Sequence, residues 1–129
     1  MAAFTDAEIE YLSTQSLMRF ATASPDGSPD VAPVVFRREG DDIVTAGFDI
    51  TRTVRYRNIQ RNPRACVVID DLATTDPWSP RGVKIIGAAS IEEPAGAPCF
   101  RIAPRVIISW GINDPKPGVP TMERRVIAP

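Results

Sequence analysis

The chain has 129 residues, 15 lysines and arginines against 16 aspartates and glutamates, and no histidine. That length suits one ordinary domain with its own core, and a net charge of −1 gives no broad basic field to gather nucleic acid or an anionic membrane. The missing histidine excludes His-based triads, HExxH zinc sites and an imidazole proton shuttle.

Phe4-Thr5-Asp6-Ala7-Glu8-Ile9 reads as a helix start, with Thr5 as N-cap, Glu8 completing a capping box and Phe4 stapling onto Ile9. The helix is predicted to end near Gln15. No basic segment followed by an apolar run opens the chain, and no stretch approaches the roughly 18 apolar residues that cross a bilayer. A cytoplasmic protein is expected, with Cys66 and Cys99 as reduced thiols, since their spacing fits neither a redox pair nor a metal knuckle.

Leu17 to Ala23 alternates as a strand, and Ser24 to Pro29 supplies turn chemistry before a second strand, Val31 to Phe36. Pro33 inside that strand has no N–H to give to a ladder, so it belongs at an edge or a bulge. A turn at Arg38 to Asp42 leads into a third strand, Ile43 to Phe48, and Asp49 to Asn62 has the composition of a helix that ends at Asn62-Pro63. Arg64 to Asp70 is a continuous apolar run expected at the sheet centre. Asp71 to Arg81 reads as an ordered loop and Val83 to Glu92 as a strand with a bulge at Gly87. The last strand, Phe100 to Trp110, is expected to break near Pro104 and run into a Pro-rich tail over 111–129. Six strands in so short a chain favour closure into a barrel, which removes open edges.

The densest cluster of candidate chemistry is Thr51 to Pro63, with Arg52, Arg55, Arg57 and Arg61, the hydroxyls of Thr51 and Thr53, and a helix N-terminus. Free N–H groups there, with guanidinium forks beside them, make an anion site. At helical spacing Arg52 and Arg55 share one face, assigned to a ligand, while Arg57 and Arg61 share another, assigned to solvent. A plain solvated basic helix has the same composition. Trp78 either meets a ligand or anchors its loop, Trp110 is expected to pack or meet a second subunit, and Arg81 either reaches a ligand or sits at the surface. Tyr11 and Tyr56 are candidate proton donors by chemical type alone.

Taken in order, the runs PDVAPVVF, DDIVTAGF, TRTVRYRNIQRNPRACVVIDD, DPWSPRGVKIIGAASIEE and PRVIISWGI resemble the pyridoxamine-phosphate-oxidase-like superfamily, in particular its small F420-dependent branch. The resemblance implies a mainly β (α+β) fold, a split β-barrel of six or more antiparallel strands with one or two short helices. It further implies a homodimer with a cofactor ring in the groove between subunits. Arg55, by its spacing before the Asn-Pro pair, would bind the cofactor phosphate with Thr53, aided by Arg52 and Asn58. Ala32, Pro33, Val34 and Val35 would run beside the ring, with Thr45 and Ala46 lining the site; Thr51, Trp78 and Arg81 complete the candidate set. The implied activity is hydride transfer between coenzyme F420 and an unsaturated small molecule. An FMN-dependent reductase or oxidase of the same fold, and a non-catalytic carrier of F420 or a tetrapyrrole, are the alternatives. The C-terminal arginine and histidine elements of the longer vitamin oxidases are missing, which argues against pyridoxamine phosphate as substrate.

Overall fold

In the computed structural model, which describes residues 2–127, Thr5 caps the first helix, α1 (Asp6–Ser13), as its sequence predicts. Its hydroxyl accepts the Glu8 N–H at 3.1 Å and the Glu8 carboxylate accepts the Thr5 N–H at 3.0 Å, satisfying two donors that the helix itself leaves free. The helix closes at Thr14, whose hydroxyl donates to the Tyr11 carbonyl at 2.7 Å.

The chain continues through β1 (Leu17–Ala23), β2 (Pro29–Val35), β3 (Arg37–Glu39) and β4 (Asp42–Thr45), then a 3-10 turn at Ile50–Arg52 and helix α2 (Val54–Arg61). After α2 come β5 (Arg64–Thr75), β6 (Trp78–Glu92), β7 (Cys99–Trp110) and β8 (Met122–Val126). Neighbouring strands are antiparallel in the order β2-β1-β5-β6-β7-β4-β3, with β8 added to β7. β2 and β3 are two halves of one extended run separated only by Phe36; the first half pairs with β1 and the second with β4. Both ends of the strand path are therefore the same piece of chain, and the sheet closes as a split β-barrel. Pro33 lies on β2, a strand that the ladder pairs on one side, which is the edge position its missing N–H requires.

Alternate residues point inward. Met18 and Phe20 of β1, Val67 and Ile69 of β5, Val83 and Ile85 of β6, and Ile102 and Ile107 of β7 are buried. Phe20 meets Phe100 edge-on, with ring centroids 5.2 Å apart, an arrangement worth about 0.5–1.5 kcal/mol beyond the area buried. The helices close opposite ends. α1 sits where β1 begins, with the Tyr11 hydroxyl donating to Asp71 at 3.0 Å. α2 sits where β1 ends, with Asn62 donating to the Ala23 carbonyl at 3.2 Å and the Ala89 N–H to the Pro63 carbonyl at 3.0 Å. No helix among the described residues is long and apolar enough to cross a membrane.

Several predicted boundaries are corrected. Asp71 to Arg81 is not a loop: β5 and β6 continue as a hairpin arm, pairing Asp71 with Arg81 and Thr75 with Trp78. β1 pairs with β5 only at Cys66 to Val68, so the arm runs beyond β1, where the prolines meet no further ladder. The third strand stops at Thr45 rather than Phe48, and the helix predicted from Asp49 begins as a 3-10 turn and becomes α-helical only at Val54. β7 is unbroken at Pro104. The bulge predicted at Gly87 falls opposite, shifting register between Ile86 and Gly87, so that Pro104 pairs with Gly87. Gly87 admits no side chain, since a Cβ there would lie 2.3 Å from the Ala103 carbonyl oxygen. The expected Pro-rich tail contains β8; its last residues, 128–129, lie outside the described residues.

Candidate functional site

The strand-to-helix passage from β4 into α2 carries most of the predicted site. Thr45, buried at the end of β4, donates its hydroxyl to the Val35 carbonyl at 2.5 Å, which holds β2 against β4. Along β2, Val34 is buried, Ala32 is half-buried, and Pro33 and Val35 are exposed. Ala46 follows Thr45 into solvent. The bond joins Val35 to Thr45, while Ala32 to Val34 run back along β2 and Ala46 leads on toward the α2 approach.

Asp49 organises the approach by accepting both the Thr51 N–H, at 3.1 Å, and the Thr51 hydroxyl. Thr53 is the N-cap of α2: its hydroxyl donates to the Ile50 carbonyl at 2.6 Å and accepts the Tyr56 N–H at 3.2 Å. The hydroxyl proton of Thr53 is thus spent within the chain, and this residue shapes the helix start. Arg52 is exposed and Arg55 half-buried at this end; Arg57 and Arg61 are exposed. Arg55 is distinctive because its Nε is buried without any hydrogen-bond partner. A buried guanidinium N–H left unpaired is costly, and an anion accepting from it removes that cost. The donor set of α2, an open N-terminus beside two arginines, fits a phosphate.

Asn58 has another place. It is buried, and its side-chain amide donates to the Thr22 hydroxyl at 3.0 Å, tying α2 to β1. Trp78 and Arg81 lie on the hairpin arm toward the α1 end and are not brought to the α2 cluster within one subunit. Trp78 is exposed. Arg81 forks onto Asp71, with Nε to Oδ1 at 2.7 Å and Nη2 to Oδ2 at 3.0 Å, and its guanidinium lies 5.1 Å from the centroid of the Tyr11 ring. The Arg81 bonds hold the Asp71 carboxyl below its ordinary range. Burial, with the bond to Asp71, pushes the Tyr11 phenol up. Tyr11 therefore stays protonated and directs its O–H to the Asp71 carboxylate, away from the α2 cluster. Tyr56, half-buried, packs edge-on against Phe100 at 6.4 Å. Trp110 covers Gly82, where a Cβ would come within 2.5 Å of the indole ring.

Sequence reasoning missed Asp71 as the partner of Arg81, because it lay inside a segment read as a loop.

The outer sheet face is the remaining large feature. Register places Val31, Ala21, Cys66, Ile86, Val106 and Val126 in one row across β2, β1, β5, β6, β7 and β8. Leu17, Val35 and Met122 are exposed on the same face, as are Val31, Ile86 and Val126 within the row. Burial raises the Cys66 thiol above its ordinary range, and Cys66 and Cys99 are both free.

Comparison with known proteins agrees with this architecture. A reductase of Streptomyces rimosus acting on 5a,11a-dehydrotetracycline and 5a,11a-dehydrooxytetracycline is 36% identical over 120 residues, covering 85% of this chain and 84% of that protein. A conserved hypothetical protein of Mycobacterium tuberculosis superposes with a TM-score of 0.69 at 22% identity, covering 84% of this chain and 86% of the other. A structure named F420 reductase superposes with a TM-score of 0.57 at 20% identity, covering 70% and 86%. The relative supports an oxidoreductase built on this barrel, and the two structures share its fold. Pyridoxamine 5'-phosphate oxidase is the family whose pattern matches residues 4–107, and with four-fifths of its length inside that match the chain belongs to it.

Proposed function

We propose that this protein is an F420-dependent reductase that adds a hydride and a proton across an activated double bond of a small, unsaturated molecule. The observation that carries the reading is the buried, unpartnered Nε of Arg55 at the start of α2, a donor waiting for an anion. Arg55 and Arg52 would hold the phosphate, with the free N–H groups of the first α2 turn that Thr53 sets in place. β2 and the end of β4 would flank the ring. A bound deazaflavin supplies the hydride chemistry, so the chain itself needs no nucleophile and no histidine.

What the residues contribute is binding, orientation and exclusion of water. Solvent delivers the proton in this scheme, because the Tyr11 hydroxyl is engaged by Asp71 and Tyr56 packs against Phe100. The outer apolar face supports a homodimer. A face of this extent belongs against another apolar surface, and a second copy would bring its own hairpin arm, with Trp78 and Arg81, toward the groove.

F420 is preferred to FMN because the resembling sequence runs are those of the F420-dependent branch. A second guanidinium at Arg52, exposed beside Arg55, also suits a cofactor with further carboxylates beyond its phosphate. The test is turnover: reduced F420 mixed with the purified protein and a panel of enones and quinones, followed by recovery of the oxidised deazaflavin absorbance. Oxidation above the buffer rate with at least one acceptor supports the proposal. Tight binding with no acceleration on any acceptor points instead to a carrier, and a protein that binds FMN but not F420 moves the reading to flavin.

A further inference from the structure

Phe48 stands out among the exposed large apolar residues. Its relative exposure is 111%, against 72% for Met122, the next highest. An aromatic ring left wholly in water is unfavourable, and nothing among the described residues covers it. Both ends of its loop are nonetheless fixed. On one side Thr45 is buried and bonded to the Val35 carbonyl. On the other, Ile50 is buried in the core and Asp49 holds the Thr51 N–H. Gly47, before Phe48, has only the Ile50 side chain within 4 Å of a modest added Cβ, so the segment leaves open space on its outer side. The ring is therefore held out between the strand end proposed to flank the cofactor ring and the arginines proposed to hold its phosphate.

Most of the other exposed large apolar side chains follow another logic. Leu17, Val31, Val35, Ile86, Met122 and Val126 belong to the outer sheet face, built by β2, β1, β5, β6, β7 and β8. Phe48 follows β4, which takes no part in those rows. Its exposure needs an explanation of its own, and a flat conjugated ring a few residues from a phosphate clamp supplies one. Aromatic rings gain from offset or edge contacts with such a surface beyond simple burial.

We propose that Phe48 is a ligand-contacting residue that packs its ring against the tricyclic ring of the bound cofactor. This rests on the cofactor reading above, extends it to a residue outside the phosphate clamp, and makes aromatic character at position 48 a determinant of affinity for the ring.

The experiment is fluorescence titration of the full chain with oxidised F420, and separately with FMN, for the unsubstituted protein and for Phe48→Ala, Phe48→Leu and Phe48→Tyr. Light scattering on each variant reports the oligomeric state. The expected result is a Kd about tenfold higher for the alanine variant and about threefold higher for leucine, with tyrosine within about twofold of the original, at unchanged molar mass. Because Phe48 makes no core contact, these variants are expected to fold. Equal affinity in the alanine and original proteins overturns the inference while leaving the phosphate clamp standing. Full rescue by leucine overturns it too, since the site would then need only an apolar cover. A fall in molar mass on Phe48→Ala assigns the ring to the second subunit instead, and absence of saturable binding by the unsubstituted protein sinks both this inference and the cofactor reading.

Discussion

Arg125 reaches across 117 residues of sequence to place its Nη2 2.6 Å from Oε1 of Glu8, joining the last strand to the first helix. The Glu8 side chain is fully buried and also accepts from Ser109 at 2.7 Å and Asn113 at 2.9 Å. A buried carboxylate tolerates its charge only when paired and hydrogen-bonded in this way. The capping residue of α1 thus doubles as the anchor for β8.

Acid sensitivity follows from that anchor. Burial alone would raise the Glu8 carboxyl, but the bonds from Arg125, Ser109, the Thr5 N–H and Asn113 outweigh it and hold the group at about 2, from an ordinary 4.5. A depressed native pKa means stability that is complete above the unfolded value and lost as pH falls from about 4.5 toward 2. The loss attributable to Glu8 is on the order of 3 kcal/mol. Denaturant unfolding at pH 6 and pH 3 is expected to show about two-thirds of it, the rest being lost nearer pH 2. In Glu8→Gln this part of the pH dependence disappears and stability at pH 6 is lower; an unchanged acid limb in that variant would refute the assignment.

Asn58 is predicted to matter for stability rather than for binding. Its amide is already committed to Thr22 inside the protein, so Asn58→Ala leaves a buried hydroxyl short of a donor and lowers the unfolding free energy by about 1–3 kcal/mol. Cofactor affinity of the folded variant is expected to stay within about twofold of the original. A large affinity loss at unchanged stability would return Asn58 to the cofactor site.

The outer face makes a prediction about assembly. Ile86 lies in the row that runs from Val31 to Val126, so a charge there would be buried in a contact built on this apolar face. If the proposed dimer forms, Ile86→Arg is expected to convert it to a monomer by light scattering, while Arg61→Ala leaves the mass unchanged. A monomeric unsubstituted protein, or an Ile86→Arg dimer, would contradict the proposed contact surface.

The sequence signals that succeeded were local ones. The Thr5–Glu8 capping box, the alternating β1 and the edge proline of β2 each depend on chemistry confined to a few residues or one pairing. Signals that depend on distant partners were not legible. The prolines and Trp78 disguised the hairpin arm as a loop, because nothing local says that a strand will project past its neighbour. The charges of Met122 to Val126 and the prolines around them hid β8, whose place depends on β7 and on Glu8. Among the candidate residues, the stretch from Thr45 to Arg55 lies together, since it is continuous in the chain. Asn58 and Arg81 already have internal partners, Thr22 and Asp71, which spacing along the chain does not disclose.

The central claim, that Arg55 clamps the phosphate of a redox cofactor, is tested most directly by equilibrium fluorescence titration of the unsubstituted protein, Arg55→Ala and Arg61→Ala with F420 and, in parallel, FMN. A charge-assisted contact of this kind contributes about 1.5–3 kcal/mol, so Arg55→Ala is expected to bind roughly tenfold to a hundredfold more weakly and Arg61→Ala like the original. Equal binding by all three proteins, or no saturable binding of either cofactor by any of them, would contradict the account.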